Sequence, residues 1–149
     1  HRDLHSFPTR RSSDLSSLPT ADRLKLILVN KYTALHRAAY RGYTETVSGI
    51  LNCLTAEQQL QLLFTQDSDG DTALHNAARW GRTEAVKNLL DIITPEQQLK
   101  LLSVKNEEGK TASQEAVGYN GTSYTMRTLE HYQKEADYRV NFRKFEKFS

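Results

Sequence analysis

The sequence predicts an all-α solenoid built from a repeated three-helix unit, and three observations support this prediction. The segment Thr33–Ala39 recurs as Thr72–Ala78 and, in weaker form, as Thr111–Val117, a spacing of 39 residues each time. Apolar residues follow each copy with helical rather than alternating spacing. A short segment with glycine and acidic residues directly precedes the second and the third copy. About three and a half such units fit the chain.

The first helix of each unit is expected to begin after a threonine and to end at a glycine. Thr33 and Thr72 precede the apolar residues, where an N-cap side chain belongs. Gly42 and Gly81 follow, where a residue in the left-handed conformation ends a helix. Paired alanines in between would let a neighbouring helix backbone approach closely.

The second and third helices complete the unit. Thr44 and Thr83 are predicted to cap the second helix, whose apolar residues have the spacing i, i+3, i+4, i+7. Thr55 and Thr94 are predicted to cap the third helix, with a glutamine three residues on, as in a capping box. Pro95 then lies at the first helical position, where its missing N–H costs nothing.

The unit ends in a tight turn, and the array ends in a weaker third unit. Asp67–Asp71 and Asn106–Lys110 have turn composition at the same place in two units. Ser113 replaces a core leucine, as expected of a terminal repeat that faces water. The tail from Tyr124 is predicted to be helical. The residues predicted to pack back on the array are Met126, Leu129 and Tyr132.

Gly70–Gly81 resembles the ankyrin-repeat motif, G-x-T-P-L-H-x-A-x-x-x-G, and Val86–Leu90 resembles its second helix, V-x-x-L-L. The resemblance covers Thr20 to Tyr132. Ala34 and Ala73 stand where the family has proline, and the period exceeds the usual value of about 33 residues. The additional residues fall in the third helix. The resemblance therefore implies an ankyrin-repeat solenoid with an extra short helix per repeat and finger-loop hairpin turns.

We divide the chain into six segments. They are an assembly artefact that we expect to be disordered (1–15), the remnant of a preceding repeat (16–32), two ankyrin repeats (33–71 and 72–110), a degenerate capping repeat (111–135) and a helical tail (136–149). The artefact interpretation rests on His5–Leu15, which resembles the translation of a sequencing-adaptor oligonucleotide. The alternative is a phosphorylation or targeting signal. Because residues 16–32 resemble part of a repeat, we expect the natural protein to continue upstream.

His36 and His75 are the most conspicuous polar residues of the motif. An acid–base role would be the functional interpretation. In the ankyrin family, however, this histidine binds the threonine of the motif and nearby backbone. Gln114 takes its place in the third unit, where it can form hydrogen bonds but cannot titrate. We therefore interpret both histidines as structural.

No catalytic, metal-binding or cofactor-binding site is predicted. Asp67, Asp69 and Asp71 suggest a calcium loop, but the glycine and glutamate of an EF-hand are missing from their positions. We interpret these acids as turn residues of an exposed finger loop. The single cysteine, Cys53, aligns with Ile92 and is expected to be a packed thiol. Zinc spacing, phosphate-binding loops and nucleophile elbows are absent from the sequence, so we expect no enzyme and no cofactor.

Charge and hydropathy exclude several classes of partner. The chain has 20 Lys and Arg and 18 Asp and Glu, a net charge of +2, which gives no general attraction for nucleic acid or anionic lipid. No apolar run approaches the roughly 18 residues of a transmembrane helix. A single cysteine favours a reducing compartment, so we expect a cytoplasmic protein, and we expect it to be a monomer.

The resemblance implies a partner protein, because ankyrin repeats meet partners with finger-loop tips and exposed positions of the first helix. The equivalent positions here are rich in Tyr, Trp and Arg, which dominate binding hot spots. The expected partner-binding residues are Tyr32, Arg37, Tyr40, Arg41, Asp71, Asn76, Arg79, Trp80, Lys110, Glu115 and Tyr119. Trp80 and Arg79 are expected to anchor the partner, whereas Tyr40 has packing between neighbouring units as an equal alternative.

We predict a non-catalytic protein–protein interaction scaffold that presents its finger loops and a concave helical face. The alternative is the targeting module of a larger enzyme or effector, whose catalytic domain is missing from this fragment. The tail also leaves alternatives open, because aromatic and basic residues are interspersed there. It is predicted to be a capping or fraying helix, or a basic amphipathic helix for a membrane surface or a partner. Its aromatic residues are Tyr138, Phe142, Phe145 and Phe148.

Overall fold

The computed structural model describes residues 33–118 and 123–146. The described part is helical, and its helices are α1 (Ala34–Arg41), α2 (Thr44–Asn52), α3 (Ala56–Leu63), α4 (Ala73–Arg79), α5 (Thr83–Asp91), α6 (Pro95–Ser103), α7 (Ala112–Gly118) and α8 (Ser123–Glu146). The predictions for residues 1–32, and those for Tyr119 and Phe148, lie outside the described residues.

The first helices begin and end as predicted. Thr33 and Thr72 are the N-caps of α1 and α4, and each forms a capping box with the histidine three residues on. Gly42 and Gly81 follow in the left-handed conformation, with φ angles of 73° and 67°. This conformation is open to glycine at little cost, so the sequence places the helix end correctly.

The prediction that Thr44 and Thr83 cap the second helices is wrong. Both threonines are the first residue of their helix, and the N-caps are Tyr43 and Arg82, which make no side-chain cap hydrogen bond. The backbone N–H of each threonine instead donates to the carbonyl of the glycine two residues before, which closes the turn between the helices. The Thr83 hydroxyl is 2.7 Å from the Thr125 hydroxyl of α8.

The third helices show why the sequence repeats two consecutive glutamines. Thr55 and Thr94 are the N-caps of α3 and α6, and both form the predicted capping box with the first glutamine. The second glutamine has another role. Gln59 Nε2 donates to the Leu51 carbonyl and Gln98 Nε2 to the Leu90 carbonyl, both at 2.7 Å. One glutamine therefore caps the third helix, and the next ties it to the end of the second helix.

Helices of the same kind pack on one another. Helices α1, α4 and α7 stack in one layer, α2 packs on α5, and α8 packs on α5, α6 and α7. Leucines and alanines fill the space between these helices, and the paired alanines of the motif are fully or almost fully buried. Cys53 is partly buried against this core, and its thiol donates to the Ile50 carbonyl, as expected of a packed thiol.

The C-terminal helix α8 covers the last stacked helices. Leu129 is fully buried, while Met126 and Tyr132 pack against the core, which confirms the predicted packing of the tail. The helix continues without a break across the segment boundary drawn between residues 135 and 136. Beyond it the aromatic side chains of Tyr138, Phe142 and Phe145 are exposed. None of the helices in the described part of the chain is both long and apolar enough to cross a membrane.

Candidate functional site

The two motif histidines connect each unit to the next. His36 Nδ1 accepts a hydrogen bond from the backbone N–H of Thr33, and His36 Nε2 is 2.9 Å from the Asp71 carbonyl. His75 repeats this arrangement with Thr72 and the Lys110 carbonyl. Since the carbonyl can only accept, Nε2 carries the proton in the neutral ring. Both rings are buried, and the structural interpretation of these histidines is confirmed.

The pKa of His36 is lowered from its ordinary value of 6.5, chiefly because burial penalises the charged ring. Protonation would also turn Nδ1 into a donor that faces the Thr33 N–H. The folded state therefore takes up this proton at a lower pH than the unfolded state. The contribution of His36 to stability is complete above about pH 6.5 and falls as the pH drops below it.

This pH dependence can be measured with the variant His36→Gln, because the third unit has a glutamine, Gln114, at the equivalent position. We expect the free energy of unfolding of the wild type to fall between pH 7.5 and 5.5, and His36→Gln to remove part of that slope. Urea titrations at several pH values would show it. Parallel curves for wild type and variant would contradict the assignment.

Four of the predicted partner-binding residues, drawn from all three units, form a largely buried polar cluster. The Arg79 guanidinium binds Asp71 Oδ2 at 2.8 Å and Glu115 Oε2 at 2.9 Å. Asn106 Nδ2 donates to the other oxygen of both carboxylates, at 2.9 and 3.0 Å. Asn76 Oδ1 accepts from Arg79 at 3.5 Å. Every carboxylate oxygen of the cluster therefore has a partner within the chain.

The electrostatics of this cluster favour its charged form. Although burial opposes the charge of Arg79, its hydrogen bonds to Glu115 and Asp71 raise the pKa of the guanidinium. The hydrogen bond from Arg79 in turn lowers the pKa of Glu115, against the effect of burial. A guanidinium shared by two carboxylates is a charge-assisted arrangement that fixes the orientation of all three groups.

The expected exposure of these positions is therefore wrong. Asp71, Asn76 and Glu115 are buried, and the Arg79 side chain is 23% exposed with its guanidinium bound by two acids. The physical reason is that the equivalent residues Asn76 and Glu115 differ in charge. The Glu115 carboxylate therefore meets the Arg79 guanidinium of the neighbouring unit and is buried with it. A partner could reach these groups only by displacing an internal ion pair, which is costly.

The three aspartates of the finger loop lie close enough to suggest a metal site, since their oxygens are within 4.8 Å of one another. Asp67 Oδ1, however, accepts hydrogen bonds from the backbone N–H groups of Asp69 and Asp71. Asp71 is engaged by Arg79 and Asn106. These interactions give the acids a structural role in the turn. The expectation that they belong to an exposed loop holds for Asp69 but not for Asp71.

Four further predicted residues form a surface patch on the first helices. Arg37 and Arg41 are one helical turn apart on α1 and exposed, and Tyr40 lies beside them. The Tyr40 ring meets the Trp80 ring edge to face, with a centroid distance of 5.0 Å. We call Arg37, Tyr40, Arg41 and Trp80 the first-helix patch. The packing alternative for Tyr40 is confirmed, because its ring packs against Trp80 of the next unit. Both rings are half-buried and still reach the surface, and their role in binding a partner stays a prediction.

Lys110, the last predicted residue in the described part, is exposed at the third finger loop, where it forms an ion pair with Glu108 at 3.5 Å. Asn106 was not predicted, although the repeat alignment contains a signal for it. It stands at the position of Asp67, and its Oδ1 makes the same two backbone hydrogen bonds. Only an amide can also donate to the two carboxylates, which explains the change from aspartate to asparagine.

Comparison with known proteins agrees with this architecture. A family profile described as ankyrin repeats, in three copies, matches residues 16–100, which is more than half of the chain. No curated protein matches the sequence. The ankyrin motif accounts for three features of the structure. They are the hydrogen bonds between its threonine and histidine, the left-handed glycines and the stacked helices. The chain belongs to the ankyrin-repeat family.

Proposed function

We propose that this chain is a non-catalytic scaffold that binds another protein through the first-helix patch. The main support for this proposal is the contact between the Tyr40 and Trp80 rings. Two exposed arginines, Arg37 and Arg41 on one face of α1, lie beside these rings. Ankyrin repeats in general mediate protein–protein interactions. Aromatic and arginine side chains are the residues that most often dominate the energy of such interfaces.

The surroundings of the patch support a pre-formed binding surface. Arg82 Nε donates to the Tyr40 carbonyl at 3.2 Å, so the end of α1 is tied to the turn that precedes α5. Arg79 is already bound to Asp71 and Glu115, so it is not available as a partner anchor. In its place, Arg37 and Arg41 are the proposed anchors. The two exposed arginines favour a partner with an acidic surface. The targeting-module alternative would use the same residues.

The test compares proteins retained by the immobilised chain from an extract of the source organism, measured by quantitative mass spectrometry. We expect Arg37→Glu with Arg41→Glu, and separately Trp80→Ala, to lose proteins that the wild type retains. Lys100→Glu is the matched control, because it reverses an exposed charge on a third helix. Circular dichroism and thermal unfolding verify that each variant is folded. Unchanged retention by folded patch variants would contradict the proposal.

A further inference from the structure

A groove with a volume of about 690 Å³ lies between α8 and the second unit, apart from the first-helix patch. This volume is typical of binding pockets. One wall comes from α5, α6 and the turn between them. The opposite wall is the side of α8 that runs from Tyr124 to Arg139. With a rise of about 1.5 Å per residue, this stretch is roughly 22 Å long, which matches about six residues of extended peptide.

The groove is held in shape by contacts between its walls. Lys87 lies over the Tyr124 ring at 5.8 Å, and the Tyr132 hydroxyl donates to Asp91 Oδ1 at 2.5 Å. Burial and this hydrogen bond to Asp91 raise the pKa of Tyr132, so the phenol stays protonated. Beyond the groove, Arg143 binds Glu96 at 2.7 Å and ties α8 to α6. A groove fixed in this way needs little ordering when a ligand binds.

The side of the groove formed by α8 has a net positive charge. Arg127, His131, Glu135 and Arg139 are spaced four residues apart and are exposed, so they share one ridge of the helix. Within the described chain, neither Arg127 nor Arg139 forms an ion pair with another residue. The Asp91 carboxylate keeps its charge while it accepts from Tyr132, so the groove lining has Lys87 and the two arginines against Asp91 and Glu135 and remains net positive. Ile93, Pro95 and the tyrosine rings add apolar surface beside these charges.

We propose that this groove binds an extended acidic segment of a partner protein, about six residues long. Acidic side chains of the segment pair with Arg127 and Arg139. An apolar side chain packs on Ile93 and Pro95. Charge complementarity with the helix ridge sets the preference for an acidic segment, and the length of the groove sets the preference for an extended peptide over a small anion.

The probe is a phage-displayed library of random octapeptides, selected on the full chain, followed by fluorescence anisotropy with the selected peptides. We expect acidic sequences that contain an apolar residue, and a loss of affinity of at least about tenfold in Arg127→Glu with Arg139→Glu. Lys134→Glu is the control, since it reverses one positive charge on an exposed residue of α8 outside the groove, and it should retain the affinity of the wild type.

Three results would overturn this proposal. They are selected peptides without acidic residues, an equal loss of affinity in Lys134→Glu, and competition by glutamate or phosphate alone at concentrations comparable to the peptide. The first-helix patch is tested separately. If Arg37→Glu with Arg41→Glu leaves peptide binding unchanged, the groove acts independently of the patch, so failure of one proposal remains distinguishable from failure of the other.

Discussion

Replacing Arg79 with leucine is expected to lower the free energy of unfolding by about 3 kcal/mol. The substitution leaves two buried carboxylates, Asp71 and Glu115, next to each other without the cation that binds both. Asn106 can donate to each of them but cannot neutralise their charge. Chemical denaturation at pH 7 measures the loss. Arg37→Leu is the control, because Arg37 is exposed and its loss should change stability by less than about 0.5 kcal/mol.

The same variant should respond differently to pH. In the wild type, the pKa of Glu115 lies below its ordinary value of 4.5, so the ion pair persists in mild acid and is lost only as the pH falls further. Without Arg79, one carboxyl should protonate at higher pH and relieve the repulsion. The stability difference between wild type and Arg79→Leu should therefore narrow below about pH 5.

A second substitution tests the charge argument directly. Adding Glu115→Gln to Arg79→Leu should restore about 1 kcal/mol or more, because one buried charge is removed and Asn106 keeps an acceptor. A stability loss for Arg79→Leu no larger than that for Arg37→Leu, or one that does not depend on pH, would show that the cluster is not an internal ion pair of this kind.

The second large effect is expected at Gly70, where we predict that an alanine costs about 3 kcal/mol. Gly70 has a φ angle of 78°, and a Cβ atom there would lie 2.6 Å from the backbone nitrogen of Glu107 in the next finger loop. That nitrogen donates to the Asp69 carbonyl at 3.0 Å, so the two loops cannot separate without losing a hydrogen bond between units.

Gly109 is the matched control for this prediction. It has a φ angle of 77° at the equivalent position, but a Cβ atom would meet nothing within 4 Å. Gly109→Ala therefore carries only the conformational cost, about 1 kcal/mol. Thermal or urea unfolding of both variants separates the two contributions. Equal losses would mean that contact between the finger loops contributes nothing at Gly70.

Local signals in the sequence predicted the helices and most of their ends. The threonine caps, the capping-box glutamines and the left-handed glycines depend on residues a few positions apart, so their geometry is set within one unit. The exceptions are Thr44 and Thr83, which have the residue type of a cap but follow a turn already closed by backbone hydrogen bonds.

The candidate site was harder to predict because its residues interact between units. A repeat motif shows that Asn76 and Glu115 are equivalent, but not that Glu115 reaches Arg79 of the preceding unit and is buried there. The groove likewise depends on where α8 packs, which no local spacing in the tail determines. The exposed arginines of α1 could be predicted, because their exposure follows from the helical period alone.

Site-specific photo-crosslinking measures most directly whether the first-helix patch binds a partner protein. A photoreactive amino acid would replace Arg37 in one variant and Lys100, on α6, in another, each in the full chain within cells of the source organism. We expect a discrete crosslinked protein from position 37 that is absent from position 100 and disappears when Trp80→Ala is added. Equal crosslinking from both positions, or a product from position 37 that persists with Trp80→Ala, would contradict it.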